Sequence, residues 1–143
     1  MIARQIETQL RKLAKMYPVV TITGPRQSGK TTLAKAVFPE HRYVSLENFD
    51  IRQMAQADPE GFLKSLPAPV LFDDIQRFPA LLRYIQTIVD QDKSCGQYIL
   101  TGSHQPLLNE GVTQSLAGRT GILRLLPLSI TELRSAGIEL ERD

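Results

Sequence analysis

With 143 residues, 42% hydrophobic and 22% charged, the chain suits one globular domain with a real core and little room for a second. Its single cysteine, Cys95, excludes an internal disulfide and a cysteine-built zinc site; no apolar run approaches the ~20 residues that span a bilayer, and Arg4 and Glu7 interrupt any secretory signal core, so a soluble protein of the cytoplasm is expected. The net charge of +2 is uneven, because residues 1 to 42 hold eight Lys/Arg against Glu7 and Glu40; this admits a polyphosphate or a nucleic acid as partner, or simply a solvated helix face beside one anion site.

Ile2, Ile6, Leu10, Leu13 and Tyr17 recur at helical spacing, which predicts an amphipathic helix over residues 1–17, ended by Pro18 and packed on the core. A membrane-surface helix is the competing reading, opposed by a modest apolar stripe and by Glu7. Val19 to Thr23 is β-branched and reads as a strand. The residues after it, Gly24-Pro25-Arg26-Gln27-Ser28-Gly29-Lys30-Thr31, match G-x-x-x-x-G-K-[ST] at every defined position, and Thr31 to Val37 can continue as a helix. Strand, glycine loop and helix are the context of a phosphate-binding loop, whereas a glycine turn that happens to precede Lys-Thr is the plain alternative. The glycines let successive backbone N–H groups turn toward phosphate oxygens, and the helix N-terminus adds positive potential. The candidate phosphate-binding residues are Gly24, Pro25, Arg26, Gln27, Ser28, Gly29, Lys30, Thr31 and Thr32. Lys30 would reach the β- and γ-phosphates of ATP, and the Thr31 hydroxyl would be a ligand of Mg²⁺.

Pro39 stops the helical pattern, and Arg42 to Leu46 reads as a second strand. Ile51 to Ala57 is helix-compatible, and Asp58-Pro59-Glu60 starts a further short helix, with Asp58 as cap, over Phe62, Leu63 and Leu66. Val70-Leu71-Phe72 is an unalternating apolar run, as in a strand buried on both faces of a parallel sheet, and leads into Asp73-Asp74. Leu81, Leu82, Ile85, Ile88 and Val89 mark the next crossover helix, Gln97 to Thr101 a fourth strand, Leu107 to Leu116 a helix, and Ile122 to Leu126 a fifth strand closed by Pro127. Alternating strands and helices predict a three-layer α/β/α sandwich with a mostly parallel five-stranded sheet, its ligand site where the strands end.

Asp73, at the end of an apolar strand, is the expected second magnesium anchor, opposite Thr31; an exposed acidic turn is the alternative. Asp74 is the candidate to polarise the attacking water, or else merely tunes its neighbour's charge. In the polar group Thr101-Gly102-Ser103-His104, Ser103 is the first choice to touch the γ-phosphate, with a structural turn on Gly102 equally open and His104 read as a surface histidine. Arg119 is a candidate to stabilise the transferring phosphate, from its own chain or a neighbour, or a helix-end cation.

Taken together, the segments Ile22 to Leu33, Tyr43 to Glu47, Asp73-Asp74-Ile75-Gln76-Arg77, Leu100 to Ser103, Ser115 to Arg119 and Leu126 to Ser129 resemble the prokaryotic AAA-type ATPases whose phosphate-loop domain usually precedes a DUF4143 region. The resemblance covers nearly the whole chain. It implies a single ATP-binding domain over residues 1–143 with the strand order of the additional-strand branch of phosphate-loop NTPases, in which one strand separates the Asp73 strand from the phosphate-loop strand. Two departures stand out. The family usually has Asp-Glu where this chain has Asp73-Asp74, which makes the presumed base one methylene shorter, and a misplacement of ~1 Å can cost on the order of a hundredfold in rate. The sequence also stops at Asp143, soon after Leu128 to Leu133 begin another helix, without the family's long C-terminal part; a shortened piece and a natural short form both remain open.

The leading function is therefore Mg-dependent ATP hydrolysis by a phosphate-loop ATPase core. A nucleotide-binding switch or remnant with little hydrolysis is the alternative. A small-molecule kinase is the third candidate, lacking a convincing lid segment between Leu100 and Arg119. Self-association enters through a trans-acting Arg119, nucleic acid through the basic N-terminal segment, and no membrane partner is expected.

Overall fold

The β-branched and apolar runs do become strands, and all five lie parallel in one sheet. The computed structural model describes residues 2–25, 29–103 and 106–125. In chain order these form α1 (Ile2–Met16), β1 (Val19–Thr23), α2 (Lys30–Val37), β2 (Arg42–Ser45), α3 (Phe49–Ala57), α4 (Pro59–Lys64), β3 (Val70–Asp73), a 3₁₀ turn (Ile75–Arg77), α5 (Leu81–Gln91), β4 (Tyr98–Gly102), α6 (Pro106–Leu116) and β5 (Thr120–Arg124). The sheet order is β2-β3-β4-β1-β5, so β4 lies between β1 and β3, the separation that the family resemblance implies. Parallel strands need crossovers, so every strand ends on the same edge of the sheet, and the segments that follow β1, β3 and β4 gather there.

Because both faces are covered, alternate strand residues feed two cores. Val20, Ile22, Leu71, Ile99 and Leu123 pack with Leu10 of α1 and Leu33, Ala34 and Val37 of α2. Val70, Phe72, Tyr98 and Leu100 point the other way, onto Ala55, Phe62, Leu63, Leu82, Ile85 and Leu108. The N-terminal helix is thus a core element, with Leu10 fully buried and Ile6, Leu13 and Ala14 packed beside it. Among the described residues no helix is long and apolar enough to cross a membrane.

Local chemistry sets most boundaries. Asp58 caps α4 by accepting the Gly61 N–H at 3.1 Å, and Pro59 opens that helix, as read from the sequence. Asn48 does the same for α3 by accepting the Ile51 N–H at 3.1 Å, so this helix starts two residues earlier than its apolar pattern suggests. Strand β5 likewise begins at Thr120 rather than Ile122. Thr120 and Gly121 carry no apolar signal; pairing with buried β1, through Val19↔Thr120 and Val20↔Gly121, draws them into the sheet. The expected Pro127 closure and the helix from Leu128 to Leu133 lie outside the described residues.

At the edge where the strands begin, His41 ties the turn after α2 to the turn before β4. Its Nε2–H donates to the Gly96 carbonyl at 2.8 Å and its ring meets Phe38 edge-on at 5.2 Å, while Nδ1 is buried without a partner among the described residues. Burial holds the imidazole below its usual 6.5, against the carbonyl bond and Glu40, which raise it. A folded-state value below the unfolded one means that the unfolded chain binds the extra proton, so stability is full above the unfolded pKa and falls as pH drops through it. Thermal melts from about pH 8 to about pH 5 should lose a few degrees on this account. In His41→Gln, which keeps a donor for Gly96, that part of the slope should disappear.

Candidate functional site

Strand β1 delivers Gly24 to the ligand edge, where its N–H bonds the Gly102 carbonyl of β4 at 3.2 Å. After the loop, Gly29 sits at φ 81°, ψ 11°, a left-handed conformation that a side chain would oppose, and becomes the residue from which α2 starts. Helix α2 therefore opens with Lys30, Thr31 and Thr32 at the sheet edge. Lys30 is only 4% exposed, and among the described residues its ammonium donates to the Pro25 carbonyl at 3.3 Å. A buried ammonium with three donors and one carbonyl partner beside a helix N-terminus fits an anion such as phosphate. Arg26, Gln27 and Ser28 of the candidate loop, and His104, lie outside the described residues.

Strand β3 carries Asp73 to the same edge, 5% exposed, and three hydroxyls converge on its carboxylate. Thr31 donates to Oδ1 at 2.8 Å, Thr101 donates to the same oxygen, and Tyr43 donates to Oδ2 at 2.7 Å. The Thr31–Asp73 contact unites the two residues that the sequence assigns to magnesium. A hydroxyl and a carboxylate are hard oxygen donors, the set Mg²⁺ prefers, with waters and phosphate oxygens completing its shell.

The sequence places Thr101 in the polar group Thr101–His104 and Tyr43 in a strand, and marks neither as a partner of Asp73. Thr101 is fully buried in the intervening strand and also accepts the Asp74 N–H at 3.3 Å. Tyr43, on the strand neighbouring β3, carries the Lys35 ammonium 3.8 Å from its ring centre. Burial, reinforced by the bond to Asp73, raises the phenol well above its usual range, so it stays a donor. The signal for both was register: Ser45↔Asp73 and Phe72↔Leu100 bring the ends of β2 and β4 level with Asp73, but only once the strand order is known.

Asp74 leaves the strand at φ 60°, left-handed, and opens the 3₁₀ turn. Its carboxyl accepts Gln76 Nε2 at 3.3 Å. Burial, then repulsion from Asp73 and Glu47, raises its pKa, while the Gln76 bond and Lys30 oppose the rise. Ser103 follows β4 nearby, its N–H donating to Gln76 Oε1 at 3.2 Å. Asp73, Asp74, Ser103, Lys30, Thr31 and Thr32 are therefore neighbours at one edge.

Arg119 is not brought to that edge, which corrects the expectation that it serves the phosphate of its own chain. Its carbonyl accepts the Val19 N–H at 3.2 Å, where β1 begins, whereas the phosphate loop leaves where β1 ends, roughly 13 Å away at ~3.3 Å per residue. Its guanidinium forks onto Asp90, 2.5 and 3.2 Å, and each group holds the other charged: the Asp90 carboxyl is lowered and the guanidinium raised by that bond. The reason is local, since the turn after α6 closes with Arg119 N–H on the Leu116 carbonyl before β5 starts.

A family model described as an AAA domain matches residues 16–134. The chain belongs to the AAA domain family. Two uncharacterised proteins, of Mycobacterium bovis and Mycobacterium tuberculosis, are each 32% identical over 139 residues, 95% of this chain. The chain spans 31% of the length of these curated relatives. Among solved structures, a Walker-type ATPase of Pyrococcus abyssi is similar in fold, with a TM-score of 0.59 at 16% identity, covering 96% of this chain and 59% of that one. The AAA domain is thus a phosphate-loop, ATPase-type domain with the α/β architecture expected of it.

Two substitutions separate the site from its surroundings. Thr101→Val keeps shape but removes a donor from Asp73 and strands the Asp74 N–H, and should lower unfolding free energy by about 1–3 kcal/mol in urea titrations. Arg119→Ala should shift the melt slightly and leave nucleotide affinity within about twofold, as expected of a surface ion pair remote from the site.

Proposed function

We propose that this AAA domain binds ATP with Mg²⁺ at the edge where β1, β3 and β4 end, and hydrolyses it. The observation that carries the proposal is the 2.8 Å contact between Thr31 and Asp73, with buried Lys30 beside it. Gly24 to Thr32 would hold the phosphates, Lys30 supplying the cation for the terminal ones; Thr31 and Asp73 would hold the metal. Mg²⁺, when bound, neutralises phosphate charge and orients the leaving group. Asp74 would orient and polarise a water from its half-buried position, and Ser103 would contact the terminal phosphate. Tyr43 and Thr101 hold the Asp73 carboxylate from behind, as supporting partners of metal-binding carboxylates do.

A second reading, a nucleotide-dependent switch with slow turnover, draws on Asp74. Its side chain is short and already engaged by Gln76, so less of it is left to direct a water. Under this reading Asp74→Glu raises turnover. We also propose that residues 1–143 form a single domain and that the additional length of the relatives holds a DUF4143 region. Nucleic acid and self-association rest on the basic segment at residues 1 to 42 and on Arg119 acting in a neighbouring copy.

ATP turnover by the purified chain, across protein concentration and with and without Mg²⁺, tests the main proposal. Lys30→Ala should reduce turnover at least about a hundredfold, and unchanged turnover would sink the assignment. Tyr43→Phe should weaken Mg²⁺ dependence about tenfold, read as a rise in the metal concentration giving half-maximal turnover.

A further inference from the structure

We propose that Gln76 is a positioning residue for hydrolysis: its side-chain amide ties Asp74, at the end of β3, to Ser103, at the end of β4, and so fixes the water-directing acid relative to the residue assigned to the terminal phosphate. The inference rests on the ATPase reading above and assigns a role to a residue outside the loop and the metal pair.

The amide makes both bonds at once. Nε2 donates to Asp74 Oδ1 at 3.3 Å while Oε1 accepts the Ser103 N–H at 3.2 Å. A backbone N–H can only donate and a carboxylate oxygen can only accept, so the bridge needs a group with one face of each kind, and among side chains of this length glutamine has it. The backbone is shaped for the bridge. Asp74 turns left-handed at φ 60°, the 3₁₀ turn closes with the Arg77 N–H on the Asp74 carbonyl at 2.9 Å, and this swings Gln76 back over β4. On β4 the space is kept by Gly102, where an added Cβ would come within 3.0 Å of Gln76 Oε1 and 2.7 Å of Leu108 Cδ2. Asp74 is held a second time through its N–H to Thr101, so acid, amide and strand end form one linked set.

Asp74 has one rotatable bond fewer than a glutamate, and its reach depends on where the 3₁₀ turn sets its backbone. The bridge sets it. A shift of ~1 Å in such a group costs on the order of a hundredfold in rate without altering the loop that grips phosphate.

Gln76→Leu removes both bonds at similar size; Gln76→Glu keeps an acceptor for Ser103 but turns an oxygen toward Asp74. In the nucleotide-free chain, amide hydrogen exchange at Ser103 should speed at least about tenfold in Gln76→Leu and stay near wild type in Gln76→Glu, with Leu100 in mid-strand unchanged in both. With ATP and Mg²⁺, both variants should lose at least about tenfold in turnover while calorimetric affinity for ATP stays within about twofold, and Gln76→Leu should add no further loss in an Asp74→Asn background. Turnover within twofold of wild type in Gln76→Leu, equal losses of affinity and turnover, or unchanged Ser103 exchange would each overturn the proposal. Absence of Lys30-dependent turnover in the wild-type chain would sink the ATPase reading instead. The bridge is then judged on Ser103 exchange and on the preference for ATP over ADP, which Gln76→Leu should diminish; an undiminished preference overturns the proposal.

Discussion

The carboxylate of Asp73 is the constraint on which the rest of the site depends. It is buried at the end of a central strand, and a buried acceptor must be satisfied by donors held in place. The three donors come from three different elements: Thr31 from the first turn of α2, Thr101 from β4 and Tyr43 from β2. Each bond to such a carboxylate contributes on the order of 1.5–3 kcal/mol. Through these bonds one side chain fixes the opening of the phosphate-loop helix, the intervening strand and the neighbouring strand against each other. The carboxylate to which the proposed function assigns the metal is thus also where the elements of the sheet edge meet.

That double use explains why the two acids differ. Asp73 faces inward and accepts from three hydroxyls, while Asp74 turns left-handed out of the strand and, among the described residues, its side chain accepts from Gln76. Partial burial, then crowding by Asp73 and Glu47, disfavours the ionised form of Asp74, in keeping with the role proposed for it. The opposite end of the sheet is built differently. There His41, Arg119 and Asp90 fasten turns together, with no phosphate-binding backbone nearby among the described residues.

Much of this was legible in the residues. The β-branched run at Val19 to Thr23, the glycines and Lys-Thr after it, the capping Asp58 and Pro59, and the apolar run ending at Asp73 each carry a local signal, and each lands where its signal places it. Elements without a local apolar pattern were displaced. Strand β5 starts at Thr120 because its pairing with β1 decides the matter, and α3 starts at Phe49 because Asn48 caps it. The 3₁₀ turn at Ile75–Arg77 had no periodicity to announce it, and Arg119, a cation after a helix, had two readings that composition could not separate.

By itself, the sequence determined the order of strands and helices, the phosphate loop, and the identity of the acids where β3 ends, because these depend on contacts between residues near one another along the chain. Only the tertiary structure decided that the separating strand is β4, that Thr101 and Tyr43 are partners of Asp73, that Gln76 joins Asp74 to Ser103, and that Arg119 faces away. The reason is separation: Tyr43 and Thr101 lie 30 and 28 residues from Asp73, and a hydrogen bond across such a distance exists only after the register of neighbouring strands has been set.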